Sequence, residues 1–221
     1  LSEKSGADWI RVLYLYPDGI DEKMIKLIKN SDNLVKYFDM PLQHINNDML
    51  KSMNRRVTKD QIVKCLDQIR TEIPEAVIRT QFIVGYPGET EEQFEELLAF
   101  IKEQKFERVG AFKYSIEENT KAGTLPNQVD EATKQDRYDR LMSLQKPISK
   151  EKHQVLVDKV IPVIIDGVSD ETELLLQGRY TGQAPDIDGI VYINEGQAKQ
   201  GEIVNVKITE SHDYDLVGSI I

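Results

Sequence analysis

The apolar pattern of this chain changes character once, near residue 155, and that change limits what it can fold into. Before it, β-rich runs alternate with stretches of helical period, the pattern of parallel βαβ units. The spacing predicts strands over 9–16, 35–42 (broken by Pro41), 76–84 and 108–114. Helices are predicted over 21–29, 47–53 and 58–72, then from Thr90, where Gln93 completes a capping box, and from about 130 to about 153. After residue 155 only short strands with turn signals remain, at 160–165, 173–179, 189–193, 203–209 and 216–220. Five short strands in so little chain predict a small antiparallel β-barrel. The expected domains are 1–154 and 155–221.

Composition narrows the function. The net charge is −10, which argues against a general nucleic-acid surface and suits a basic protein partner. No apolar run reaches the ~18 residues of a membrane span, and the start lacks a signal-peptide pattern, so a cytoplasmic protein is expected. The chain starts at Leu1 without an initiator Met, and a truncated chain is expected. The single cysteine, Cys65, excludes an internal disulfide and a cluster held by several thiolates of this chain. It lies in the 58–72 helix among apolar residues and reads as a buried structural thiol.

Three segments carry a resemblance. They are KYFDMPLQHINNDMLKSMNRR (36–56); RTQFIVGYPGETEEQFEEL (79–97) with GAFKYSIEENTKA (110–122); and GRYTGQAPDIDGIVYI (178–193) with VKITESHDYDLVGSI (206–220). In this order they resemble the radical S-adenosylmethionine (SAM) methylthiotransferases, the last resembling that family's TRAM β-barrel. The resemblance implies an α/β fold: a partial parallel (β/α) barrel of the radical SAM type, then a small β-barrel. It also implies SAM and 4Fe–4S clusters in the full-length enzyme, with no cluster ligands in this chain. In the family, a reduced cluster cleaves SAM to a radical that takes hydrogen from the substrate carbon. Without the family's CxxxCxxC loop, the chain alone is expected to be inactive. Its barrel is expected to lack two strands and to expose an unpaired edge.

Two branches of the family compete, one modifying an adenosine of transfer RNA and the other an aspartate of the twelfth small-subunit ribosomal protein. His44 after Gln43, Arg79-Thr80, and the APDIDG stretch (184–189) resemble the ribosomal branch. Charge supports it independently: from 152 to 221 there are five basic and twelve acidic residues, a balance of −7. Such a barrel attracts a basic ribosomal protein more readily than RNA. A non-catalytic substrate-docking module remains the third alternative.

The candidate residues cluster near strand ends, where parallel barrels build their sites. The resemblance assigns Gln43 to SAM and His44 to the substrate side; the other reading of His44 is a hydrogen bond to the next loop. Arg79 offers a guanidinium fork for a carboxylate of SAM or of the target aspartate, and a structural ion pair explains it equally well. Thr80 is a weaker SAM-side candidate. Gly85, in the Gly85-Tyr86-Pro87-Gly88 turn, is placed near SAM, though turn geometry alone accounts for a glycine. Tyr114 can stack on adenine or serve as a core tyrosine. The run Glu89, Glu91, Glu92, Glu95 and Glu96 reads as a solvated helix start, and His153 and His212 receive no role.

Overall fold

Residues 4–221 are described by the computed structural model. The contacts divide the chain into two compact units. One comprises Val12–Asp32 and Phe38–Gln145; the other comprises the residues up to Arg11, Asn33–Tyr37 and Lys146–Ile221.

Helix α1 (Glu22–Asn30) starts where the Asp21 carboxylate accepts from the Met24 N–H at 2.8 Å, and it buries Ile25 and Ile28. Strands β1 (Tyr37–Gln43), β2 (Val77–Val84) and β3 (Arg108–Lys113) form one sheet in that order. Strands β2 and β3 run parallel, with Arg79 opposite Arg108 and Val84 opposite Lys113. The connections carry α2 (Asn47–Ser52), α3 (Lys59–Glu72) and α4 (Glu91–Gln104). Thr90 and Gln93 form the expected capping box on α4, and Thr58 and Gln61 form a second on α3. Each box satisfies N–H groups that a helix start leaves without partners. The periodic residues Ile62, Leu66 and Ile69 of α3 and Phe94, Leu97 and Ile101 of α4 are buried. So is one face of the sheet: Phe38, Met40, Leu42, Ile78, Phe82 and Val84. Helix α5 (Glu131–Gln154) follows β3 after a loop.

Two expectations need correction. Residues 9–16 form no regular strand; Ile10 makes one isolated parallel bridge with Leu34. Tyr14 takes a left-handed conformation, φ 57°, and its N–H goes to the Asp39 carboxylate at 3.1 Å, so a continuous ladder cannot form. Conversely, Pro41 does not break β1. The Leu42 N–H reaches the Thr80 hydroxyl on β2, so alternation turns the Pro41 nitrogen to the opposite edge, where no ladder bond is lost.

In the other unit, strands β4 (Val160–Val168), β5 (Leu176–Tyr180), β6 (Val191–Glu195), β7 (Ile203–Ser211) and β8 (Leu216–Ile220) close a barrel in the order β4-β5-β6-β8-β7. Four of its pairs are antiparallel as expected, but β6 and β8 run parallel. The β7–β8 hairpin causes this, because it returns β8 in the direction of β6. Alternate residues fill the interior: Val163, Ile165, Val191, Ile193, Val206, Ile208 and Leu216. Gly178 is required by close approach, since a Cβ there would lie 2.4 Å from the Ile164 carbonyl oxygen. Arg11 and Tyr37 tie down the loop after β5. Arg11 donates to the carbonyls of Thr181 and Gln183 at 2.9 and 2.8 Å, and the Tyr37 hydroxyl donates to Asp188 at 2.6 Å.

Candidate functional site

Strand alternation gives the sheet a second face, and its composition is polar. Asp39, Pro41 and Gln43 come from β1, Arg79, Gln81 and Ile83 from β2, and Arg108, Gly110 and Phe112 from β3. Gly110 lies opposite Gln81, and a Cβ there would come into ordinary contact, 3.6 Å, with the side chains of Gln81 and Phe112. Arg79 donates to Asp39 at 2.8 Å, and both side chains are buried. With its amide oxygen turned toward Arg79, Gln81 accepts from both terminal nitrogens at 2.7 and 2.9 Å. The Arg79 fork is therefore oriented by two neighbours on the same face. The sequence reading included Arg79 and missed Asp39 and Gln81. Period-two alternation from Arg79 and Gln43 was the signal that pointed to them.

Gln43 ends β1 in a left-handed conformation, φ 71°. Its side chain lines a cavity of about 250 Å³ with Tyr14, Leu15, Tyr16, Pro41, Arg55 and Gln81. Arg55 donates to the Pro41 carbonyl at 2.8 Å and lies 5.2 Å from the centre of the Tyr16 ring. A larger cavity, about 700 Å³, lies along α1 and α3, lined by Glu22, Lys59, Asp67 and Glu72 among others. It contains none of the strand-end residues, so the smaller cavity is the candidate site.

His44 is wholly buried, and both of its ring nitrogens are engaged. Nδ1 accepts from the N–H groups of Ile45 and Asn46 at 2.9 and 3.0 Å, so the ring proton resides on Nε2. Nε2 lies 3.0 Å from Oε1 of Glu89. Glu89 is not part of a solvated helix start: its side chain has no exposed surface. Its Oε2 accepts from the Gly85 N–H at 2.6 Å and from Arg137 at 2.7 Å. Glu91, Glu92 and Glu95 are exposed as expected, and Glu96 pairs with Lys59 and Asn46. Helical periodicity cannot mark Glu89, because it precedes the cap residue Thr90 and belongs to the turn.

The remaining candidates fall around this network. Gly85 has φ 71°, and a Cβ there would lie 2.3 Å from Cγ of Lys134, so the helix α5 lysine occupies the space the glycine leaves. Thr80 is fully buried and faces the helices rather than the polar face. Tyr114 packs edge-on against Tyr86 at 5.2 Å, and its buried hydroxyl has no hydrogen-bond partner. Cys65 is buried in α3, and desolvation pushes its thiol up to about 11. Among the described residues no three His, Cys, Asp or Glu side chains gather as a metal site, so the donor set does not fit an iron–sulfur cluster.

Residues 2–101 match the radical SAM superfamily, and residues 157–221 match the TRAM domain. The chain is 61% identical over 221 residues to the ribosomal protein uS12 methylthiotransferase RimO of Bdellovibrio bacteriovorus, covering 100% of this chain and 48% of that protein. It is 51% identical to the protein of the same name from Geobacter sulfurreducens, covering 100% of this chain and 49% of that one. It thus spans about half the length of the curated relatives it matches. Among solved structures, coproporphyrinogen III oxidase (HemN) from Escherichia coli, a radical SAM enzyme, aligns with a TM-score of 0.51 at 19% identity, over 63% of this chain and 32% of that one. That likeness concerns the fold.

Proposed function

Because this chain belongs to the radical SAM methylthiotransferase family, we propose that it holds SAM and presents substrate in an enzyme that adds a methylthio group to an aspartate of the basic ribosomal protein uS12. The observation that carries this reading is 61% identity over the whole chain to a relative of that name.

The residues present suit the polar parts of SAM. The amides of Gln43 and Gln81 border the strand-end cavity, and the buried Tyr114 hydroxyl still lacks a partner. Gln43 and Tyr114 are proposed as its contacts, with Thr80 and Gly85 shaping the walls behind them. When bound, SAM supplies the radical that takes hydrogen from the substrate and the transferred methyl group. Arg79 is proposed on the substrate side, its guanidinium held in place by the buried ion pair with Asp39 and by the Gln81 amide. His44 was expected on the substrate side, but both of its ring nitrogens are engaged within the protein, so its proposed role is to hold the turn after Gln43 rather than to touch substrate. No cluster ligand is proposed within this chain.

The charge balance of −7 over 152–221 supports recognition of a basic protein by the barrel. No helix among the described residues is long and apolar enough to cross a membrane, and a cytoplasmic location fits a ribosomal substrate. The test is binding to isolated uS12 and, separately, to an anticodon stem-loop at low and high salt. Binding to the protein that weakens as salt rises is expected. Preference for the RNA refutes the assignment.

A further inference from the structure

Three hydrogen-bond donors converge on the Glu89 carboxylate inside the protein: the His44 ring, the Gly85 amide and the Arg137 guanidinium. Arg137 also donates to the Glu89 carbonyl at 3.1 Å, and its side chain is 5% exposed. Only an acceptor without protons satisfies three donors, which a carboxylate is and an amide is not. On the other side of the His44 ring, Nδ1 takes the N–H groups of the two residues that follow it. That pair of bonds closes the turn immediately after Gln43, the residue in the left-handed conformation at the cavity. Neither ring nitrogen is available to a substrate.

We propose that Glu89 and Arg137 clamp His44 as its Nε2–H tautomer and thereby hold the turn that presents Gln43 to the cavity. The three are positioning residues, and the clamp joins the end of β1, the turn after β2 and helix α5. This inference rests on the reading of Gln43 as a SAM contact. It assigns a role to Arg137, which no sequence motif marks, and to Glu89, whose charge would otherwise be costly to bury.

The two ends of the imidazole can be separated by substitution. In His44→Asn the amide oxygen lies near the former Nδ1 and can keep the two turn bonds, while the bond to Glu89 is lost. In His44→Gln the amide reaches toward Glu89 and the turn bonds are lost. In Glu89→Gln an amide NH₂ must face a donor.

Two measurements test the clamp. Ring ¹⁵N shifts of histidine-labelled chain, with His44→Asn assigning the signal, are expected to report one tautomer for His44, protonated at Nε2. A mixture, or protonation at Nδ1, overturns the clamp whatever binds in the cavity. SAM binding by equilibrium dialysis in the complete enzyme is the second. His44→Asn, which keeps the turn bonds but loses the clamp, is expected to weaken binding about threefold, whereas His44→Gln and Glu89→Gln weaken it about tenfold. Wild-type affinity in His44→Gln, together with loss in His44→Asn, overturns the positioning role. Failure of the wild-type enzyme to bind SAM refutes the reading of the cavity, while the tautomer result still decides the clamp.

Discussion

Replacing Tyr37 by Phe tests whether the APDIDG stretch is an anchored loop of the barrel unit. Tyr37 is 1% exposed, and its hydroxyl donates to Oδ2 of Asp188 at 2.6 Å. The same oxygen accepts from the Ala184 N–H at 2.8 Å. Arg11 lies 4.2 Å from the centre of the Tyr37 ring, and burial pushes its pKa down while Tyr37 and Asp188 oppose the shift. A hydrogen bond to a charged group contributes about 1.5–3 kcal/mol, so Tyr37→Phe is expected to cost that much. For a unit of this size the melting temperature falls by roughly 6–24 °C. Because both donors meet one oxygen, Asp188→Asn can keep both bonds and loses only the charge beside Arg11. Asp188→Ala loses both, so it is expected to be the more damaging. Urea unfolding followed by circular dichroism, combined in a Tyr37→Phe/Asp188→Ala cycle, measures the coupling, expected at about 1.5–3 kcal/mol. A Tyr37→Phe change within about 0.5 kcal/mol of wild type, the size of an ordinary surface substitution, refutes the anchoring argument.

Gly178→Ala pushes a methyl group against the Ile164 carbonyl and the Val163 side chain, and is expected to cost the barrel about 1–3 kcal/mol in thermal unfolding. Cys65, with its thiol near 11, is expected to react with iodoacetamide at neutral to mildly alkaline pH at least about a hundredfold more slowly in the folded chain than in the urea-unfolded chain. The unfolded thiol ionises first, so its contribution to stability, present below about 9, is lost as pH rises toward about 11; a denaturation series across that range reads it. Thr90→Ala removes the side-chain cap that accepts from the Gln93 N–H and is expected to cost about 1 kcal/mol by the same unfolding assay.

Periodicity was a good guide wherever one local rule decided the outcome. The stripes of α3 and α4, the Thr90–Gln93 cap and the five short barrel strands all follow from spacing and cap chemistry. It failed at residues 9–16, whose β-rich composition is overridden at Tyr14, because the carboxylate of Asp39, twenty-five positions further along the chain, takes the amide a ladder would need. The parallel β6–β8 pair was hidden for a similar reason: strand order is a property of the closed barrel, and no single strand encodes it.

The candidate site divides along the same line. Gln43, His44, Arg79 and Gly85 lie in segments that carry the family resemblance, so the sequence marks them as candidates, but it does not show their partners. Asp39 and Gln81 were recoverable in principle, since alternation puts them on the face of Arg79. Glu89 and Arg137 were not, because forty-eight residues separate them and no periodic pattern joins a turn to a distant helix. Glu89 also stands among acidic neighbours that are exposed, so composition argued for the wrong environment. What distinguishes it is that three donors need one acceptor in a place that excludes water. That requirement arises only once β1, the turn after β2 and α5 have been brought together. The site's polar geometry is therefore a consequence of the fold more than of its motifs, and substitutions at Arg137 should disturb His44 as surely as changes at His44 itself.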